Sequence, residues 1–178
     1  MGEEPKRRNW STDRIVSLSA ILISFITLVV FIYQTNLMAE QQRMSTMPYL
    51  TYGFSGTGTP EFAVFLSNDG LGPAFIESIQ VSYQDTVYDM DLPTFLYSGK
   101  IADMDSVDNV YHANIFPGQL IPAGKEISIF QVDNSKEDAD RLLSLLMNLG
   151  LKVELIYHSA YQERWRITTD VRVPERLD

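Results

Sequence analysis

The chain of 178 residues contains no cysteine, which excludes disulfides, thiolate metal sites, a cysteine nucleophile and a cysteine-linked lipid. Only two histidines are present, His112 and His158, which leaves little for a zinc enzyme to use. Basic residues are scarce too: 14 Lys and Arg stand against 23 Asp and Glu, a net charge of -9. Nucleic-acid binding by phosphate neutralisation needs the opposite sign, so no nucleic-acid partner is expected. Charge is missing altogether from Ile15 through Ala39, and no Gly/Ser-rich or Pro-rich stretch supplies a flexible tether. What is present, at 45% hydrophobic, 11% aromatic and 21% charged, is globular in composition and long enough for one domain with an appendage.

The charge-free run begins IVSLSAILISFITLVVFIY, Ile15 to Tyr33. As a helix it covers about 28 Å, close to the ~30 Å hydrocarbon core of a bilayer. A cleaved signal peptide has a shorter apolar region and a small-residue cleavage site, whereas Gln34, Thr35, Asn36, Leu37 and Met38 follow here. The reading is a retained anchor, with the lipid bilayer as a partner. It divides the chain into a tip (1–14), a transmembrane helix (15–38), a helical stalk (39–47) ended by Pro48, and a domain (48–178). Lys6, Arg7, Arg8 and Arg14 precede the span and Arg43 alone follows closely, which predicts a cytoplasmic N-terminus and a domain outside the cytoplasm. The acid excess therefore falls on the exposed domain.

Within the span Ser17, Ala20, Ser24 and Thr27 recur at three- and four-residue steps, and Phe31, Gln34, Met38 and Gln41 continue the stripe. Small residues on one face let two helices approach, so the stripe is a candidate seam for a homo-oligomer or a partner span. Hydroxyls bonding the carbonyl one turn back are the plainer reading of the same residues.

Beyond Pro48 the hydrophobic period shortens from helical to alternating. Strands are predicted at Tyr49 to Phe54, Glu61 to Ser67, Phe75 to Tyr83, Thr86 to Met90, Val107 to Phe116 and Glu126 to Val132. A terminal hairpin is predicted from Leu151 to Tyr161 and Glu163 to Val173. Phe62, Val64 and Leu66 share one face, as do Phe75, Ile79, Val81 and Tyr83. One helix interrupts the strands, capped by Asn134 or Ser135 and stopped by Gly150, with Leu142, Leu143, Leu146 and Leu149 as its apolar stripe. The fold class expected is mainly β: an Ig-like or fibronectin-like β-sandwich with one inserted helix, preceded by the transmembrane helix.

The order of a basic tip, one span, Tyr33-Gln34-Thr35, Leu37-Met38, Glu40 to Arg43, Pro48-Tyr49-Leu50 and the segment Asn68-Asp69-Gly70-Leu71-Gly72-Pro73-Ala74 resembles a broad group of small bacterial single-pass membrane-anchored proteins. The resemblance covers the first half of the chain. It implies a protein of the bacterial inner (plasma) membrane with a periplasmic or otherwise extracytoplasmic domain, and it carries no catalytic residues.

No reaction motif emerges from the residues themselves. The 68–74 segment suits an irregular turn, because neither a helix start nor a following lysine makes it a phosphate loop. Asp103, Asp105 and Asp108 have spacing that could offer three oxygens to calcium, but the glycine and terminal glutamate of an EF-hand are missing. His112 and His158 sit on separate predicted strands with no nucleophile beside them. No cofactor and no enzymatic activity are expected, and a carboxylate hydrolase is the least supported alternative. The best candidate surface is the last hairpin, where Tyr157, Tyr161 and Trp165 lie near Arg164 and Arg166, residue types that anchor protein interfaces. Against it stands the reading in which the aromatics fill a core and the arginines face acids such as Glu154. The functional expectation is a non-enzymatic binding protein with an unidentified protein partner. The alternative is a membrane effector or sensor whose helix self-associates on binding.

Overall fold

A computed structural model of the chain describes residues 12–101, 107–171 and 173–177. Lys6, Arg7, Arg8, Asp103 and Asp105 lie outside the described residues. The chain divides into two compact units, one running to Met44 and one from Ser45 to Asp178.

The first unit holds a single continuous helix, α1 (Thr12–Ser45), none of whose residues is buried. No glycine or proline interrupts it, and its hydroxyls are absorbed internally. Ser17, Ser19, Ser24, Thr27 and Thr35 each donate to the carbonyl four residues back, at 2.8–2.9 Å. An 18-residue window of α1 has a mean hydropathy of 2.8, and its large side chains are exposed on every side of the helix.

The second unit is built from two antiparallel sheets. The first runs in the order β1 (Leu50–Ser55), β2 (Phe62–Asn68), β7 (Glu126–Val132), β5 (Val110–His112). The second runs β10 (Glu175–Arg176), β9 (Arg164–Thr168), β8 (Lys152–His158), β3 (Ala74–Tyr83), β4 (Thr86–Tyr88), with β6 (Leu120–Ile121) pairing the start of β3. Two α-helices accompany them, α2 (Leu92–Phe95), which runs on into a π-helical turn (Leu96–Lys100), and α3 (Lys136–Asn148).

One hydrophobic cluster joins these elements. Leu50, Phe62, Leu66, Phe130 and Val132 come from the first sheet, Ala74, Ile76, Val81, Leu155, Tyr157, Trp165 and Ile167 from the second, Phe95 from α2 and Leu142 from α3. Side chains of this size contribute about 1.5–3 kcal/mol each when fully buried. With no disulfide available, that burial holds the domain together. The α3 boundaries follow from local chemistry: the Ser135 hydroxyl accepts from the Asp138 amide at 3.2 Å, and Gly150 (φ 61°) ends the helix in the left-handed region.

Four expectations need correction. In β3 the register shifts between Ile76 and Ser78, so the inward face passes from Ala74 and Ile76 to Ile79 and Val81. Phe75 consequently points outward and stacks on His158, ring centroids 5.2 Å apart, instead of sharing a face with Ile79. The predicted strand from Val107 to Phe116 pairs only at Val110–His112, because the backbone then turns to meet a buried carboxylate. The Ile115 amide and the Asn114 side chain both donate to Asp91 at 2.9 and 3.3 Å. Asp91 also caps α2, which is a second helix where one was expected. The last strand stops at Thr168, whose hydroxyl accepts from the Val171 amide, and β10 folds back to pair with β9.

Candidate functional site

The residues predicted as an interaction surface do not stay together. Tyr157 (0% exposed) and Trp165 (3%) stack in the core with ring centroids 5.7 Å apart, which removes them from any docking surface. The Tyr157 hydroxyl accepts from the Leu50 amide at 3.3 Å and so ties β8 to the start of β1; burial pushes its pKa up to about 12. Tyr161 remains 45% exposed beyond the end of β8. Arg164 and Arg166 do lie on the outer face of the second sheet, but their charges are engaged there. Arg164 reaches Glu77 with two hydrogen bonds of 2.8 and 2.6 Å, and Arg166 meets Glu175 at 2.5 Å and Glu154 at 3.9 Å. The hydrogen bond that Arg166 donates to the Glu175 carboxylate holds its guanidinium above its usual pKa. Arg176 with Glu163 and Lys152 with Asp170 continue this network of exposed pairs.

The candidate calcium loop has one member among the described residues. The Asp108 backbone amide donates to the Asp138 carboxylate at 3.4 Å, and the Asn109 side chain does so at 3.3 Å. Among the described residues no group of three or more His, Asp or Glu side chains is placed to hold a metal. His112 on β5 leans against Tyr97 and Phe130, and His158 on β8 against Phe75; the His158 Nδ1 meets the Ser159 carbonyl oxygen at 3.0 Å.

The 68–74 segment forms a clamp on the residues that lead into β1. Asn68 is fully buried and uses its whole amide: Oδ1 accepts from the Tyr49 and Gly70 amides, both at 3.1 Å, and Nδ2 donates to the Gly72 and Ile121 carbonyls at 2.9 and 3.0 Å. The Asp69 amide donates to the Tyr49 carbonyl, and the Leu71 and Gly72 amides both donate to Met47. The fit requires glycine, since a Cβ on Gly72 would stand 1.7 Å from the Thr46 carbonyl oxygen. Thr51, Ser67 and Asp69 close the cluster with hydroxyl and carboxylate bonds of 2.6–2.9 Å.

A second feature escaped sequence reasoning. A cavity of about 280 Å³ opens between the two sheets and α3, lined by Tyr52 and Phe54 of β1, Val64, Ile79, Ile129 and Val153 from the sheets, and Leu146 and Met147 of α3. Phe54 is 40% exposed and Met147 62% exposed, and Thr169 and Asp170 also border the cavity, so it reaches solvent. Tyr52 carries a buried hydroxyl with no hydrogen-bond partner among the described residues. Burial pushes that hydroxyl well above the usual tyrosine pKa. A void of this kind depends on side-chain volumes across two sheets, and no local pattern announces it. The larger depression along α3 is bordered by charged side chains, among them Lys136, Glu137, Asp140 and Arg141, and by Val107.

No protein-family model matches the chain, and none of the curated proteins matches it. The class defined by the fold itself is a mainly β domain of two antiparallel sheets behind one apolar helix long enough to cross a membrane.

Proposed function

We propose that the protein is a single-pass anchor of the bacterial inner membrane that presents a non-enzymatic binding domain outside the cytoplasm. The observation that carries this reading is α1: 34 residues, none buried, with a window of mean hydropathy 2.8. A core helix would hide one face, whereas this one is apolar all round, as lipid contact requires. The domain is read as Ig-like or fibronectin-like, supported by two antiparallel sheets sharing one core. A binding role is supported by a fold class that often presents loops and faces to partners.

Orientation rests on Lys6, Arg7, Arg8 and Arg14 before the span. A reporter that works only outside the cytoplasm, fused after Asp178, is expected to be active. Activity of a cytoplasm-only reporter at the same position reverses the orientation.

The effector reading, in which α1 self-associates, draws less support. Ser17, Ser24 and Thr27 spend their hydroxyl protons on Asp13, Ala20 and Ile23 of the same helix, so these three donate nothing to a second helix. Ser24→Leu is therefore expected to leave the oligomeric state of the detergent-solubilised chain unchanged by light scattering. Dissociation of an oligomer by that substitution would reinstate the seam.

A further inference from the structure

We propose that the outer edge of β1 accepts an extended segment of a partner protein as an added strand, with apolar side chains at alternate positions and a basic residue at each end. This gives the binding domain of the preceding reading, on which it rests, a class of partner.

Edge strands expose unpaired main-chain groups, and proteins keep them from pairing by making them short or by adding charge, proline or a bulge. The edges of these two sheets are unequal. β4 and β5 are three residues long, and β6 and β10 two. β1 has six residues with no charge and no proline, and its register with β2 runs unbroken from Leu50 to Ser55. Among the described edges it alone lacks all of these safeguards.

The hydrogen bonds around β1 show which groups are left over. The Asp69 amide donates to the Tyr49 carbonyl, while the Asn68 amide and carbonyl turn to Lys125 and Gly124 on the far side of β2. By the alternation of an antiparallel ladder, Thr51, Gly53 and Ser55 therefore bond to β2, and Leu50, Tyr52 and Phe54 direct their amides and carbonyls away from it. The Tyr157 hydroxyl takes the Leu50 amide. The amides and carbonyls of Tyr52 and Phe54 have no partner among the described residues. Beside them lies the 280 Å³ cavity, whose lining includes Gly53, a residue without a side chain, so the opening reaches the β1 main chain. A strand bonded to Tyr52 and Phe54 turns every second side chain toward that opening. Since roughly 150 Å³ admits one benzene ring, the space suits about two large apolar side chains.

Charge decides between a foreign strand and a second copy of β1. From Pro48 onward 19 acids stand against 9 bases, so two copies repel each other and a basic segment is drawn in. The local charges agree. At one end of the strand the Asp69 carboxylate accepts from the Thr51 hydroxyl at 2.6 Å, and beyond the other end stands exposed Glu61. Neither makes an ion pair among the described residues. Glu61 lies two residues past the last pair, Ser55 with Ala63. About 20 Å therefore separates its level from that of Thr51, the length of a strand of about seven residues.

The probe is the peptide Lys-Phe-Thr-Val-Thr-Leu-Lys, which carries Phe, Val and Leu on one face and its lysines on the other. The full chain is reconstituted in lipid nanodiscs, and amide hydrogen exchange at Tyr52 and Phe54 is followed by mass spectrometry with residue-resolving fragmentation. Without peptide both amides are expected to exchange faster than those of Thr51 and Gly53. With about 1 mM peptide they are expected to slow about tenfold. Proline in place of the peptide's valine removes its central amide and is expected to abolish the effect, and glutamate in place of both lysines to weaken binding about fivefold. Slow exchange without peptide, no response to the lysine peptide, or an equal response to the proline or glutamate peptide overturns the proposal. Protection that rises with the number of chains per disc, without peptide, also overturns it and assigns the edge to a second copy. Failure of the chain to enter the discs counts against the membrane anchor alone, so the two readings fail separately.

Discussion

Replacing Asn68 with alanine is expected to lower the unfolding free energy of the domain by about 3–5 kcal/mol, the cost of stranding several buried backbone groups at once. Truncation leaves the Tyr49 and Gly70 amides without their acceptor and the Gly72 and Ile121 carbonyls without their donor. Some regain water, which keeps the total below the sum of four full penalties. For a domain of this size the shift in melting temperature is on the order of 10–20 °C. Buried Trp165 reports the transition by fluorescence once Trp10 is changed to Phe, since these are the two tryptophans of the chain. Asn68→Asp distinguishes hydrogen bonding from shape. It keeps the side-chain volume but turns an acceptor toward the Gly72 and Ile121 carbonyls, and it is expected to cost at least as much as alanine. A near-neutral Asn68→Asp would reduce the clamp to simple space filling.

Trp165→Ala is expected to destabilise the domain by about 3–5 kcal/mol, through loss of buried area and the cavity left behind. Trp165 is 3% exposed and stacks on Tyr157, whose hydroxyl holds the Leu50 amide, so the hole opens where the two sheets are joined. Arg166→Ala, one residue away in sequence but on the outer face, is expected to cost no more than about 1 kcal/mol, because its ion pairs are exposed to solvent. Pulse proteolysis of the two variants measures both without relying on the deleted indole. Equal costs would mean that the outer arginine network contributes as much as the core, against the burial pattern.

The contrast between these neighbours was half legible in the alternation of the last strand. Trp165 and Ile167 fall on one face and Arg164 and Arg166 on the other, and the sheet keeps that division. Which face turns inward is decided by the opposite sheet, and a pattern along one strand cannot contain it. The same holds for Phe62, Val64 and Leu66, whose alternation is regular and whose burial follows it. In β3 the pattern misleads, because one extra residue near Glu77 reverses the parity, and an alternation count assumes that none is inserted.

The short α2 had a readable signal in Asp91 followed by Leu92 and Pro93, an N-cap with proline in the first turn. That signal is local, but the competing use of Asp91, to receive Asn114 and Ile115 from more than twenty residues away, is not. The apolar helix needed only composition, whereas the cavity at Tyr52 needed side chains from β1, β7, β8 and α3 together.

The clamp around Asn68 also has a mechanical meaning. β1 is an edge strand whose one ladder partner among the described residues is β2, and an edge strand pulled from its end peels one hydrogen bond at a time. A pull transmitted through α1 would arrive at Thr46 and Met47, but there the load is shared before it reaches the ladder. Met47 and Tyr49 are held by amides of Asp69, Leu71 and Gly72, and Asn68 fastens Tyr49 to Ile121 of β6, which pairs with the second sheet. Tension on the tether would therefore be spread across both sheets at its point of attachment, leaving β1 shielded from unzipping.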